Sequence, residues 1–166
     1  MVLQSDAVPA GDITKWEWYA SLTQYPGDFY KFRFKCCHTS KTALTDTYAD
    51  NYDGNTPVQV YYRDTCRIAA TAYQWFGFQF DKPFSYNGAD NLLFEVWWEG
   101  DNDGWAYTYW GSNPGRYVCS YIKGTTPLRG YPDKGEIFDY LHNMRITISP
   151  NAVAPTSLGR VKSMYR

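Results

Sequence analysis

The sequence predicts an all-β protein, an antiparallel two-sheet β-sandwich of the jelly-roll type with about eight to ten strands. Short runs of alternating apolar and polar residues, each bounded by Gly, Pro, Asn or Asp, favour this fold class. Tyr, Trp and Phe, which favour strands, make up 19% of the chain. Because side chains alternate along a strand, some of these rings can fill the core while others face outward.

Two alternating runs near the N-terminus are predicted as strands, Ile13–Leu22 and Phe29–Cys37. The apolar face of the first consists of Trp16, Trp18 and Ala20. The apolar face of the second consists of Tyr30, Phe32, Phe34 and Cys36. Lys and Arg residues alternate with the latter set, so we expect one face of this strand in the core and the other in solvent.

A polar segment after the second strand interrupts the alternation and predicts one short helical turn near residues 40–49, capped by Ser40 or Thr42. The strands expected after it are Val58–Tyr62, Cys66–Ala70 and Tyr73–Phe80. Gly77 indicates a bulge or a close backbone approach, and Pro83 is expected to end the pairing of the third run.

The run Asn91–Trp98 has apolar residues on both faces, which predicts a central strand covered on both sides. The last predicted strands are Trp105–Trp110, Arg116–Ile122 and Met144–Ile148. Residues 1–148 are therefore expected to form one β-sandwich domain. The tail, residues 149–166, differs in composition and is expected to dock on the body of the chain or on a neighbouring copy, as in strand addition to a sheet edge.

Charge and hydropathy narrow the range of partners. The 16 basic and 17 acidic residues are interspersed and give a formal charge of −1, so the sequence predicts neither nucleic-acid binding nor membrane insertion. No apolar run reaches the ~20 residues that span a bilayer. Strands rich in Tyr, Trp, Gly and Asn are typical of exported β-proteins, so we expect an extracellular or cell-surface location, with Met1 replacing or following a removed leader.

The four cysteines are Cys36, Cys37, Cys66 and Cys119. No CxxC pair occurs, so their spacing does not predict a zinc site. Cys36 and Cys37 are neighbours in a predicted strand and point to opposite faces, so each could find a separate partner. Two alternatives stay open, one or two disulfides in an oxidising compartment or buried free thiols.

The sequence does not predict a catalytic constellation. His38 and His142 have no nucleophile signature beside them and are expected in turn or surface roles. Glu95 and Glu99 share a strand face about 13 Å apart, which exceeds the spacing of a glycosidase pair. We therefore expect a protein that is not an enzyme and that has no cofactor.

Two acidic turns are candidate calcium sites. The first, between Gly100 and Gly104, contains Asp101, Asn102 and Asp103. The second contains Asp50, Asn51 and Asp53. Oxygen ligands crowded in a turn suit Ca²⁺, but Asx-rich turns also form for conformational reasons. For the first turn, hydrogen bonding to a glycan is a further alternative.

Aromatic residues late in the chain are the main functional candidates. They are Trp97, Trp105, Tyr107, Tyr109 and Trp110. If Trp105, Tyr107 and Tyr109 line one strand face, their rings form a ladder with a spacing of ~6.8 Å. Such a ladder can stack on sugar rings, and Trp and Tyr also dominate protein–protein hot spots. Core filling is the alternative for any single ring.

The segments His38–Thr42, Asp53–Val58, Pro83–Val96 and Leu141–Ile148 share a pattern with a known group of proteins. They resemble the secreted, aromatic-rich bacterial β-sandwich modules of cell-surface proteins, which often stand beside sorting tails or repeat domains. The most specific element is the Asn-Leu-Leu strand entered from a Phe-x-Tyr-Asn-Gly turn. The resemblance implies a jelly-roll-like, extracellular module without catalytic activity.

We therefore expect a non-catalytic extracellular structural protein that self-assembles, through contacts with copies of itself, into a surface filament, tube or layer. The alternative is a lectin-like carbohydrate-binding module that uses Trp105, Tyr107 and Tyr109. The two hypotheses differ in the partner of the outward-facing rings, which is another copy in the first case and a glycan in the second.

Overall fold

The structure, a computed structural model, describes residues 9–101, 108–119 and 133–149, with only the backbone described for Trp110 and residues 113–119. The described residues form nine strands and one short helix. In chain order these are β1 (Gly11–Tyr19), β2 (Gly27–Thr39), α1 (Tyr48–Asn51), β3 (Val58–Ile68), β4 (Trp75–Tyr86), β5 (Asn91–Trp97), β6 (Gly100–Asp101), β7 (Trp110–Cys119), β8 (Glu136–His142) and β9 (Met144–Ser149).

The described strands form two sheets and a ribbon. The first sheet has the order β4-β1-β9, and the second has the order β3-β2-β5, with β6 also pairing to β2. The ribbon consists of β7 and β8. All of these pairs are antiparallel, and the inner faces of the first two sheets share one hydrophobic core. The predicted all-β, sandwich-like fold is confirmed.

Aromatic side chains from both sheets meet in this core. The ring centroid of Trp16 in β1 lies 3.9 Å from that of Phe94 and 5.2 Å from that of Phe34. Burying an apolar side chain of this size stabilises the fold by about 1.5–3 kcal/mol. The predicted apolar face of β1 is confirmed, because Trp16 and Ala20 are buried and Trp18 packs against the core.

Strand β2 departs from strict alternation near its start. The later residues of its apolar face point into the core as predicted, but Tyr30 is 41% exposed and Phe29 is buried instead. Lys31 has a φ of +52°, and this left-handed residue shifts the alternation by one position. The predicted place of Tyr30 on the core face is therefore wrong.

Strands β3 and β4 are longer than predicted. β3 is continuous where the sequence predicted two short strands, and β4 runs past Pro83, which was expected to end its pairing. Ile13 pairs with Phe84 and Lys15 with Gln79, so β4 has extra residues in this interval and forms a bulge. Pro83 lies in the bulge, where the strand does not need a backbone N–H for the ladder.

Gly77 marks a close approach between β1 and β4, as its position in the sequence indicates. A Cβ atom at this residue would lie 1.9 Å from the carbonyl oxygen of Trp16 and 2.6 Å from the Cα atom of Glu17. Such separations are far below van der Waals contact. Glycine therefore lets the two backbones lie at this distance, directly beneath the site described below.

Strand β5 is covered on both faces, as predicted. Leu92 faces the main core, whereas Leu93 packs with Cys37 and Leu44 in a second, smaller cluster. The predicted central position of β5 is wrong, because β2 lies in the middle of the second sheet and β5 lies at its edge among the described strands. β2 has 13 residues against seven in β5, and this length lets it pair on both sides.

The helical turn begins later than predicted. α1 follows Thr47, and neither Ser40 nor Thr42 caps it. The Ser40 N–H instead donates to the Asp53 carboxylate at 3.1 Å, which closes the loop around the helix. A hydrogen bond to a side chain 13 residues away thus replaces the local cap that the sequence indicated.

Three of the four cysteines, Cys36, Cys37 and Cys66, are buried free thiols. Of the two alternatives, the predicted disulfides are therefore not formed at these residues. Cys36 lies in the main core and Cys37 in the second cluster, which confirms that they point to opposite faces. Burial raises the pKa of Cys37 to about 11, so its thiol is protonated at neutral pH. Cys119 ends β7, where only the backbone is described.

The C-terminal strands agree partly with prediction. β9 confirms the strand Met144–Ile148, and β8 has no counterpart among the predicted strands. Residues 102–107 and 120–132, which contain half of Trp105–Trp110 and part of Arg116–Ile122, lie outside the described residues, as does the tail beyond Ser149. Within the described ranges, no helix has the length and apolar character needed to cross a membrane.

Candidate binding site

The structure divides the predicted aromatic cluster. Trp105 and Tyr107 lie outside the described residues, and Trp110 begins β7 with only its backbone described. Trp97 ends β5 in the second sheet, whereas Tyr109 hydrogen-bonds to the first sheet. The predicted ladder therefore stays a prediction, and Trp97 and Tyr109 lie on different sheets.

Trp97 lies in a row of charged residues on the second sheet. The Arg33 guanidinium lies over its ring, 4.0 Å from the ring centroid. Arg33 also pairs with Glu99 at 3.7 Å, and Lys35 pairs with Glu95 at 2.9 Å. Trp97 is half-buried, and the side chains of Arg33 and Lys35 are only 21% and 20% exposed, so this row offers little surface to a ligand and is interpreted as structural.

Four aromatic side chains form a cluster on the outer face of the first sheet, named here the aromatic patch: Tyr19, Tyr73, Trp75 and Tyr109. Ring centroids are 5.1 Å apart between Tyr19 and Trp75, 5.5 Å between Tyr19 and Tyr109, and 6.2 Å between Tyr73 and Tyr109. Tyr73 is 65% exposed, and Trp75 and Tyr109 are 37% and 38% exposed. A contiguous group of exposed rings points to contact with a ligand or partner.

Strand pairing fixes three of these rings. Tyr19 lies opposite Trp75 in the register of β1 and β4. The Tyr109 N–H donates to the Tyr19 carbonyl at 3.0 Å, and the Asn143 N–H donates to the Tyr109 carbonyl at 2.7 Å. The rings are therefore held on a hydrogen-bonded sheet rather than on a free loop, as suits a preorganised site.

Tyr73 has an unusual backbone conformation. Its φ is +61°, in the left-handed region that costs a residue with a Cβ atom about 1–2 kcal/mol. Its N–H donates to the Ala20 carbonyl at 2.9 Å, which holds this conformation in the turn before β4. A strained residue whose ring is mostly exposed is a candidate for function, since strain of this kind concentrates at binding sites.

A group of charged side chains, named here the ionic cluster, adjoins the patch on the same face: Lys15, Glu17 and Arg145. Arg145 Nε and Nη2 donate to the two carboxylate oxygens of Glu17 at 2.7 and 3.0 Å. Lys15 Nζ donates to the same carboxylate at 2.9 Å. The Arg145 guanidinium also lies 4.7 Å from the ring centroid of Trp75, which joins the ionic cluster to the aromatic patch.

Glu17 is buried, although it lies on the same face of β1 as Lys15, whose side chain is 36% exposed. It is 5% exposed. The hydrogen bonds from Arg145, and then from Lys15, lower the pKa of Glu17 to about 2, against the burial that would raise it. The carboxylate is therefore ionised at neutral pH and holds both cations in place.

An open depression of about 340 Å³ lies beside the ionic cluster. Its lining includes Lys15, Glu17, Arg67, Trp75 and Gly77. Charged donors and an aromatic ring thus converge on one concave surface. This combination suits a ligand that has both apolar faces and polar groups, such as a sugar.

The two candidate calcium turns contain residues with structural roles where they are described. Asp101 lies in β6, paired with Phe29, and Asn102 and Asp103 lie outside the described residues. Asn51 is buried, accepts a hydrogen bond from the Thr45 N–H at 2.8 Å and shapes the loop around α1. Among the described side chains, no three acidic, His or Cys groups come together as metal ligands would.

Neither histidine has an arrangement typical of a catalytic base among the described residues. His38 lies within β2 rather than in a turn, and its Nε2 accepts a hydrogen bond from the Asn87 N–H at 3.3 Å. His142 ends β8, and its Nδ1 forms a hydrogen bond with the Thr108 hydroxyl. Burial lowers the pKa of His142, which favours the neutral ring.

One residue of the aromatic patch, Tyr109, was among the predicted site residues. Tyr19 alternates with Lys15 and Glu17, and an aromatic residue on an otherwise charged strand face is a feature that could have identified it. Tyr73 and Trp75 belong to a run that otherwise supplies core residues. Alternation places Trp75 on the strand face opposite Phe76, Phe78 and Phe80, and this is the feature that could have identified it as outward-facing.

Comparisons of the chain with protein-family models, with curated proteins and with solved structures find no match. The geometry and chemistry of the site itself therefore carry the functional proposal.

Proposed function

We propose that this protein is a non-catalytic, extracellular glycan-binding module, and that the aromatic patch with the ionic cluster forms its binding site. The observation that carries the proposal is the exposure of Tyr73, Trp75 and Tyr109 beside charged hydrogen-bonding groups. Sugar rings have apolar C–H faces that can pack on aromatic rings, and hydroxyl groups that hydrogen-bond to charged side chains.

The rigidity of the site supports the same function. Tyr19, Trp75 and Tyr109 are set by backbone hydrogen bonds of the first sheet. Rings that are already ordered lose little conformational entropy when a ligand binds. A small entropy loss matters for weakly hydrophobic ligands such as glycans, because each stacking contact contributes only a small part of the binding free energy.

The substitution Tyr73→Gly tests the proposal. We expect it to remove most glycan binding, because it deletes the most exposed ring of the patch. The fold should be retained, because glycine adopts a φ of +61° without strain. Binding is measured on a glycan array and then by calorimetry with the best ligand, and folding by circular dichroism.

Tyr30→Ala is the matched control. Tyr30 is also an exposed tyrosine, but it lies in β2 of the second sheet, next to Lys31. Its substitution should leave glycan binding unchanged. Equal binding by the Tyr73→Gly variant and the original protein would exclude the patch, and the absence of any glycan ligand for the original protein would refute the function itself.

We also propose, as a second function, self-association into a surface filament, tube or layer. Strand β9 supports it, because β9 lies at the edge of the first sheet among the described strands and directly precedes residues 150–166. An edge strand can pair with a strand from another copy. This function does not need the aromatic patch and is tested separately below.

A further inference from the structure

We propose that the site selects acidic glycans, with Arg145 and Lys15 binding the carboxylate of a uronic acid while its ring packs on the aromatic patch. This inference rests on the proposed glycan-binding function and adds the chemical class of the ligand. It is carried by the donors that the ionic cluster leaves available and by the charge balance around the depression.

Arg145 has donors directed away from its partner within the protein. The pair with Glu17 uses Nε and Nη2, and Nη1 makes no hydrogen bond to another described residue. The Arg145 side chain is 51% exposed. A guanidinium presents five N–H donors in a fixed plane, so an arginine bound on one side can bind a second carboxylate on the other.

Lys15 is arranged in a similar way. Within the described part of the chain its ammonium makes one hydrogen bond, to Glu17, although it has three N–H donors. Its side chain is 36% exposed, whereas that of Glu17 is 7% exposed. Glu17 thus lies beneath the two cations and holds them at the surface, where their remaining donors face a ligand.

The described residues around the depression have a positive charge balance. Among the described residues, Lys15 and Arg67 line the depression, and Arg145 adjoins it through the ion pair with Glu17. The acidic partners of these cations are Glu17, shared by Lys15 and Arg145, and Asp28, which pairs with Arg67 at 3.1 Å. A single arginine would neutralise Glu17. The second cation on the same carboxylate therefore leaves an unbalanced positive charge, which favours an anionic ligand over a neutral one.

The position of Arg145 connects charge recognition with stacking. Its guanidinium lies 4.7 Å from the centroid of Trp75, and Trp75 lies 5.1 Å from Tyr19 in the patch. A sugar ring packed on Trp75, which is 37% exposed, can therefore extend a carboxylate towards Arg145. A neutral hexose can make the same stacking contacts but not the charge-assisted hydrogen bond.

The experiment compares two forms of one polysaccharide, oligogalacturonate and its methyl ester, by calorimetry with the whole chain. We expect the acid to bind at least about tenfold more tightly than the ester, because the acid makes one charge-assisted hydrogen bond that the ester cannot make. The preference should shrink when salt is raised, because the contact is half-exposed and is screened. Arg145→Gln should abolish the preference, and Lys134→Gln, which removes an equal charge at an exposed ion pair with Asp46, should preserve it.

The outcomes separate this inference from the function on which it rests. Equal affinity for acid and ester, unchanged by Arg145→Gln, would overturn the acidic preference while leaving glycan binding intact. Binding of neither form, nor of any neutral glycan on an array, would overturn both. Because the ester comparison uses the unaltered protein, it decides the question even if Arg145→Gln does not fold.

Discussion

At the residue scale, Glu17 connects stability with the arrangement of the site. Its pKa of about 2 lies below the ordinary value of 4.5, chiefly because Arg145 donates to it and then because Lys15 does. A depressed pKa in the folded state means that the interaction is complete above the unfolded-state pKa and is lost as pH falls towards the folded-state pKa. The stabilisation from Glu17 should therefore be lost between about pH 4.5 and pH 2.

The substitution Glu17→Gln should reproduce this loss at neutral pH. We expect the free energy of unfolding at pH 7 to fall by about 2–3 kcal/mol, because the charge-assisted hydrogen bonds to a buried carboxylate are removed. The difference between variant and original protein should disappear near pH 2. Urea unfolding at pH 7, 4 and 2, followed by tryptophan fluorescence, measures it.

Asp46→Asn is the control for this series. Asp46 also has a pKa lowered by a lysine, Lys134, and by Thr47, but it lies at the surface. Surface pairs contribute little to stability, so this substitution should have a small effect at every pH. If Glu17→Gln showed the same small effect, or an effect independent of pH, Glu17 would not be the buried charge that the structure indicates.

At the element scale, the pairing of β1 with β4 depends on Gly77. A Cβ atom there would meet the Trp16 carbonyl oxygen at 1.9 Å, so Gly77→Ala requires the two strands to separate. We expect a loss of about 1–3 kcal/mol of unfolding free energy, as for other overpacked positions. Because β1 and β4 also position Tyr19 and Trp75, glycan binding should weaken in the same variant.

Gly100→Ala provides the matched comparison. Gly100 lies in β6, and nothing would lie within 4 Å of an added Cβ atom. Its substitution should change the unfolding free energy by no more than about 0.5 kcal/mol. Thermal unfolding by circular dichroism distinguishes the two, and equal melting temperatures for both variants would contradict the close approach at Gly77.

The elements of this fold could be predicted from the sequence where local alternation decides them. β1, β2 and β9 were predicted because one face of each is apolar and buried, and this face is visible at period two, whereas β5 was predicted from a run that is apolar on both faces. Tyr30 was placed wrongly because one left-handed residue, Lys31, inverts the alternation. A positive φ at a lysine has no local sequence signature.

The position of Pro83 and the order of the strands depend on contacts that are distant in sequence. Pro83 is accommodated in β4 by a bulge opposite β1, and β2 rather than β5 is central because its length allows pairing on both sides. The aromatic patch could not be predicted from the sequence for the same reason. Its residues come from β1, from the turn before β4, from β4 and from the segment before β7, and only the sheet brings them together.

At the scale of the whole molecule, the proposed ligand site and the proposed assembly contact are separate. The patch lies on the outer face of the first sheet, among β1, β4 and the segment before β7, whereas strand addition would use the edge of β9. A face and an edge of one sheet can act at the same time. A glycan-binding subunit of a larger assembly is therefore compatible with both proposals, and many weak sites in one assembly would bind a polysaccharide with high avidity.

Deletion of residues 150–166 tests whether the chain assembles through its tail. The deletion begins after Ser149, so β9 and its pairing with β1 are kept, and the shortened protein should fold. If self-association depends on the tail, negative-stain electron microscopy of the intact protein shows regular filaments, tubes or sheets. The shortened protein then elutes as a monomer from a sizing column, and its glycan binding is unchanged. If both proteins are monomers, assembly through the tail is excluded and glycan binding is the function that remains.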